Sequence, residues 1–286
     1  MPLQFNEVRS AIDKLLSEVA KAEASFPAGF TGAKPAVYKD GKLSGLMAPY
    51  VTHHGGHTSA KTISQKKEII TFLAGMGIWN GVLIQVNPAE NNGIPKHIQS
   101  YGMDWWADTL NRAYEDLPLP QYYAMAKKFI TEYGARGGVI DDGQNFTQKQ
   151  MEEMIKPFTD AGVPVIVSYG LDFKPAKEHA SIVNRVQIAW QMYVSRNAKE
   201  PEKTGTAVAN LIKARGRCDV ANDDAYQESA VPTLPEVRAM FAACQAAGIA
   251  NHAPYSAWNP DGSNWQQWSG LVVGWMLNGI DFWQTH

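Results

Sequence analysis

Two adjacent acids, Asp141 and Asp142, directly follow an apolar run in GGVIDDGQN. Carboxylates at the end of a buried segment are costly unless they are solvated, paired or bound to a metal. Successive side chains on a strand point to opposite faces, so one acid aims at a shared site while the other braces it. Cleavage of a glycosidic bond needs two carboxyl groups, one to protonate the leaving oxygen and one to act as nucleophile or base. Further carboxylates stand in DVANDDAYQES, where Asp223, Asp224 and Glu228 are the candidate partners, and at Asp172 and Asp281. The bland alternative for Asp141 and Asp142 is an acidic cluster before the helix TQKQMEEM, since anions favour a helix N-terminus.

The same kind of position, just past an apolar run, collects other polar and aromatic residues. These are His53 and His57, Gln85 and Asn87, Asn145, Tyr169 with Asp172, His252 with Tyr255 and Trp258, and Asp281 with Trp283. Rings that stack on the C–H faces of sugars, beside amides and carboxylates that bind hydroxyls, suit a polyhydroxylated ligand. Trp258, in YSAWNPDGSNW, is the preferred stacking platform, whereas Trp268 and Trp275, seven residues apart, read as core. His252 reads equally as a core histidine, a proton shuttle or a ligand-orienting group. The second chemistry in the chain is HHGGHT, whose histidines at spacings of three and four could hold zinc.

The elements that must position these residues repeat a phrase: an amphipathic helix, a glycine at its C-cap, an apolar run and a polar cluster. It is clearest in GMGIWNGVLIQVNPAENN, YGARGGVIDDGQN, DAGVPVIVSYGLDF, AAGIANHAPYSAWN and NGIDFWQTH. LMAPYV at Leu46 to Val51 supplies a first strand, RGRCDVANDDAYQES a further one and GTAVANLI a doubtful eighth, while Lys177 to Arg196 reads as helix. Thr147 and Gln150 form a capping-box signal for the helix after the Asp pair. Strands that are apolar throughout are covered on both faces, as parallel strands joined by helices require. Seven or eight such strands without a low-complexity linker predict an α/β fold, a single-domain (β/α)8 TIM-type barrel. The predicted organisation is an N-terminal helix (Phe5 to Ala24) and connector over 1–45, then the barrel over 46–286. An open doubly wound sheet is the structural alternative. In a barrel, the side chains at the C-terminal ends of the strands meet at one mouth, where the chemistry is done.

Through VIDDGQN, VSYGLDF, DVANDDAYQE and GIDFW, the chain resembles the broad class of barrel glycoside hydrolases, with no single family matched. That resemblance implies a polysaccharide or oligosaccharide substrate and carboxylate acid/base catalysis. The chain departs from the two-glutamate families: no Asn-Glu pair ends the fourth apolar run and no glutamate ends the HAPYSAW strand. HHGGHT and IDDG together resemble the motifs of metal-dependent polysaccharide deacetylases, which would place a metal on His53, His57 and Asp142. Their order along the chain is the reverse of that family's and would demand a circular permutation. A barrel that binds glycan without cutting it is the third reading.

Composition bounds the rest. With 286 residues, 45% hydrophobic and 19% charged, the chain can bury one large core. A net charge of -2 lacks the electrostatic footprint of nucleic-acid binding. Cys218 and Cys244 form no CxxC unit and read as buried thiols. Acids interrupt the N-terminal apolar pattern and no stretch has membrane-spanning length, so the expectation is no signal peptide, no membrane partner and a cytoplasmic location by default. No cofactor is expected on the glycosidase reading, and a divalent metal such as zinc on the alternative.

Overall fold

The computed structural model describes residues 13, 17, 20, 33–51, 63–85, 93–108, 110–192, 201–223, 234–254, 276 and 278–283. Eleven strands are present among them: β1 (Val37–Lys39), β2 (Lys42–Ser44), β3 (Leu46–Met47), β4 (Tyr50–Val51), β5 (Gly81–Ile84), β6 (Asp104–Ala107), β7 (Gly137–Ile140), β8 (Val165–Tyr169), β9 (Gln187–Met192), β10 (Val220–Asp223) and β11 (Asn251–His252). β1 and β2 form an antiparallel hairpin. The others form one sheet of parallel pairs in the order β3-β11-β10-β9-β8-β7-β6-β5-β4.

The two ends of that order are halves of one run, Leu46 to Val51, interrupted only by Ala48 and Pro49. On one side Ala48 N donates to the His252 carbonyl (3.0 Å) and Tyr50 N to that of Pro254 (2.9 Å); on the other, Asn80 N and Leu83 N donate to the carbonyls of Met47 and Pro49 (both 3.0 Å). The sheet therefore closes on itself as a ring of eight strands, the first being the predicted LMAPYV. This is the (β/α)8 barrel.

Side-chain parity sorts the core. Leu46, Leu83, Trp106, Val139, Ile166, Ala189, Val220 and Ala253 fill the lumen, while Val82, Trp105, Ile140, Val167, Trp190 and Ala221 pack outward against the helices. The β1–β2 hairpin, in the segment expected to be a bare connector, plugs the floor with Ala36 and Leu43. The helices end as predicted: Gly162 and Gly248 take positive φ (69° and 75°), a conformation that costs glycine little. The capping box also forms, with Thr147 N donating to Gln150 Oε1 (2.9 Å) and Gln150 N to Thr147 Oγ1 (3.4 Å) ahead of the helix Gln148–Asp160.

Four expectations about elements are corrected. Lys177 to Arg196 is not one helix: after a single turn at Pro175–Glu178 it supplies β9. GTAVANLI belongs to the helix Pro201–Arg215 rather than to a strand, and a Cβ on its Gly205 would lie 3.1 Å from the Ala239 carbonyl of the neighbouring helix Leu234–Ala246, so the glycine permits close packing. GIDFW is helical over 278–283, so the last barrel strand is β11. The third barrel strand, absent from the sequence expectation, is β6, in which Trp105 and Trp106 are buried strand residues. Of the predicted N-terminal helix, residues 13, 17 and 20 are helical, and the rest lies outside the described residues. No helix among the described residues is long and apolar enough to cross a membrane.

Candidate active site

β7 ends at Ile140 in the layer between sheet and helices, so Asp141 has the parity of the lumen-facing Val139. Asp142 would then point away, but its backbone is left-handed (φ 50°, ψ 42°). That conformation costs a non-glycine residue roughly 1–2 kcal/mol and persists only where the surroundings impose it. Here it brings the second carboxylate back toward the first. Gln191 Nε2, from β9, donates to Asp141 Oδ1 (3.1 Å) and to Asp142 Oδ1 (2.7 Å). Asp142 N donates to Asp141 Oδ1 (3.0 Å), and Gln144 Nε2 to Asp142 Oδ1 (2.9 Å). Both Oδ1 atoms lie within hydrogen-bond reach of one nitrogen, which holds them within about 6 Å of each other.

The support continues around the rim. Gln144 is anchored by Gly170 N, which donates to its Oε1 (2.8 Å), and Asn222 Nδ2 of β10 donates to Ser168 Oγ of β8 (3.0 Å). β7, β8, β9 and β10 thus share one polar belt at their C-terminal ends. On the other flank of β7, Asp108, 4% exposed, follows the neighbouring β6, and the buried Lys66 Nζ donates to the Gln85 carbonyl (3.1 Å) after β5. The acidic-cluster alternative does not describe the pair: the helix starts at Gln148, is capped by Thr147, and the carboxylates are engaged by Gln191 and Gln144.

The other predicted site residues divide. Asn145 is exposed in the 3-10 turn Gly143–Asn145 beside the pair, Gln85 follows β5, and Asp223 closes β10. These share the C-terminal rim with Asp141 and Asp142. Five are placed elsewhere. Tyr169 points outward from β8, fully buried; its hydroxyl donates to His179 Nδ1 (3.0 Å), its ring stacks on Phe173, and burial pushes the hydroxyl well above the usual tyrosine range. His252 also points outward, stacked on Phe241 (ring centroids 4.6 Å apart) and edge-on to Phe282, which makes it a core histidine. Asp281 is exposed on the terminal helix, whose Trp283 Nε1 donates to the Ile78 carbonyl (2.9 Å). Ile78 precedes β5, so this helix packs toward the N-terminal end of the strands, away from the mouth. Asp172 is fully exposed, 3.6 Å from Arg215.

His53, His57, Asn87, Asp224, Glu228, Tyr255 and Trp258 lie outside the described residues, so the zinc alternative can be followed only to Asp142. Among the described residues no three His, Cys, Asp or Glu side chains gather in a metal-binding group. The sequence reading missed Gln191, Ser168, Asp108 and Lys66. The helical spacing of Lys177 to Arg196 hides Gln191, because its alternation with Gln187 and Ala189 on the lumen face has no meaning in a helix; as a strand, QIAWQM shows that alternation directly.

No family model and no curated protein matches the chain. Among solved structures, a sugar phosphate isomerase/epimerase from Parabacteroides distasonis is similar over 90% of this chain and 99% of its own, with a TM-score of 0.50 and 10% identity. An endocellulase from Pyrococcus horikoshii, solved with cellotetraose, is similar over 85% and 99%, with a TM-score of 0.50 and 8% identity. The fold is thus that of the TIM barrels, a class in which barrel glycoside hydrolases and sugar isomerases both occur. One scaffold serving an isomerase and a cellulase equally well leaves the chemistry to the site.

Proposed function

We propose that this chain is a carbohydrate-active barrel enzyme that hydrolyses a glycosidic bond in a polysaccharide or oligosaccharide at the C-terminal mouth. The observation that carries this reading is the pair of carboxylates, Asp141 and Asp142, bridged by one amide at the end of β7. In the reaction, a carboxylic acid gives its proton to the bridging oxygen as that oxygen's bond to the anomeric carbon breaks. A carboxylate on the other side stabilises or attacks the anomeric carbon. Water then adds its hydroxyl to that carbon and returns a proton to the acid, so the groups regenerate. Both side-chain hydrogen bonds of Asp142 fall on Oδ1, which makes Oδ2 the atom offered to the sugar. Its partner is Asp141 or a carboxylate at or beyond the end of β10, among Asp223, Asp224 and Glu228. Gln85 and Asn145 at the rim, with His53, His57, Asn87, Tyr255 and Trp258, are the proposed substrate contacts. The reaction so written needs no cofactor.

The test is incubation with cellulose, xylan, chitin, starch and pectin, followed by reducing-end assay and mass spectrometry. The wild type should release oligosaccharides from at least one, and Asp141→Asn and Asp142→Asn should each lower the rate at least about a hundredfold with the circular dichroism spectrum unchanged. Acetate release that stops on chelation would replace this reading with the deacetylase one on His53, His57 and Asp142. Affinity without product after long incubation would leave a glycan-binding barrel.

A further inference from the structure

We propose that Gln191 is a positioning residue that holds the Asp141 and Asp142 carboxylates in their working arrangement, an inference that rests on the hydrolase reading above. A side-chain amide nitrogen carries two hydrogens in a fixed plane. In Gln191 both have an acceptor, one on each carboxylate, at 3.1 and 2.7 Å. Gln191 is 5% exposed, so its orientation is set by the protein rather than by water. It also reaches across the ring: β9 and β7 are not neighbours, since β8 lies between them. The crossing is possible because β8 presents only Ser168 and Gly170 at this level, and Gly170 has no side chain to obstruct it.

Two carboxyl groups on consecutive residues repel whenever both are ionised, and the left-handed backbone at Asp142 is not self-sustaining. Without a shared donor the second carboxylate would swing toward water and the first would lose its brace. Gln144 alone cannot replace the bridge, because within the pair its Nε2 donates to Asp142 Oδ1. Gln191 touches neither the substrate nor the bond being broken on this reading; it acts through the carboxylates.

The experiment uses the full chain and the polysaccharide on which the wild type shows turnover in the panel above. Gln191→Leu removes the donors at nearly constant volume, and Gln191→Met keeps the chain length as a second variant should the first fail to fold. Either should lower kcat by roughly 30- to 100-fold, the scale of a misplaced reacting group, with KM changed by less than about threefold. In an Asp142→Asn background the same substitution should cost no more than about twofold further, since the two carboxylates work as one unit that is already broken there. Loss that multiplies in the double variant, a rise in KM that accounts for the whole effect, or an unchanged kcat in both variants would overturn the proposal. A wild type inert on every substrate would instead sink the hydrolase reading itself.

Discussion

His179 connects protonation to the loop that carries the acid pair. Its Nε2 donates to the Phe146 carbonyl (2.8 Å), so Nδ1 has no hydrogen and accepts from the Tyr169 hydroxyl. Burial holds its pKa below the ordinary value of 6.5, opposed in part by the Phe146 bond and by Glu178. A depressed histidine pKa means that the unfolded chain takes up the proton more readily than the folded one. Its contribution to stability is therefore full above pH 6.5 and declines as the pH falls through that value toward the folded-state pKa. The melting temperature should drop between pH 7.5 and 5, and His179→Gln should flatten that dependence. A profile with the same slope in both proteins would show that other groups govern it. Phe146 lies four residues beyond Asp142, in the segment between the acid pair and the helix Gln148–Asp160.

β7 shows how a strand becomes unable to accept even one methyl. It opens with Gly137 and Gly138, and Gly137 pairs in register with Trp106 of β6. A Cβ on Gly137 would lie 2.4 Å from Trp106 Cζ3 and 2.5 Å from the Pro164 carbonyl oxygen. The indole could yield but the β8-side backbone could not, so Gly137→Ala should destabilise the fold by about 2–3 kcal/mol in urea unfolding. Trp106→Phe should fail to restore it; full rescue would mean that the carbonyl contact is harmless. The strands of this kind were legible from sequence because uniform apolar runs after helix-ending glycines mark buried parallel strands, and the Asp pair was legible because acids at such an end need a reason. β6 was not, since in DWWAD the aromatic pair imitates a binding platform. β9 was not, because Ile182, Val186, Ala189 and Trp190 also fit helical spacing. GIDFW misled in the opposite direction, its apolar cluster being the one buried stripe of a short helix. Gln191 was lost with its strand, and the bridge it makes depends on the ring's closure, which no local pattern encodes.

The barrel separates what holds it together from what it does, and the separation is measurable. At the floor Asn80 Nδ2 donates to the carbonyls of Lys34 and Gly45 (both 2.6 Å), and its Oδ1 accepts from Met47 N (2.9 Å). Asn251 repeats the device, donating to the Leu43 and Asp219 carbonyls (2.9 and 2.8 Å) and accepting from Leu46 N (3.0 Å). Gln187 completes it by donating to the Gly41 carbonyl and accepting from Leu43 N. These buried amides knit the hairpin plug to the starts of three strands, at the end opposite the acid pair. Asn80→Ala would strand one buried N–H and two partly buried carbonyls, at about 1–3 kcal/mol for each group left unsatisfied and less where water enters. A loss near 3 kcal/mol is the expected result. Asn80→Asp keeps the shape but turns both donors into an acceptor facing two carbonyl oxygens, so it should be the more destabilising of the two. Below their melting temperatures both variants should keep the wild-type kcat, while Asp142→Asn should lose activity and keep wild-type stability to within about 1 kcal/mol. If Asn80→Ala lowered kcat at a temperature where the protein is fully folded, the floor would be coupled to the mouth through the lumen column that includes Trp106, and the barrel would act as one mechanical unit rather than as two independent faces.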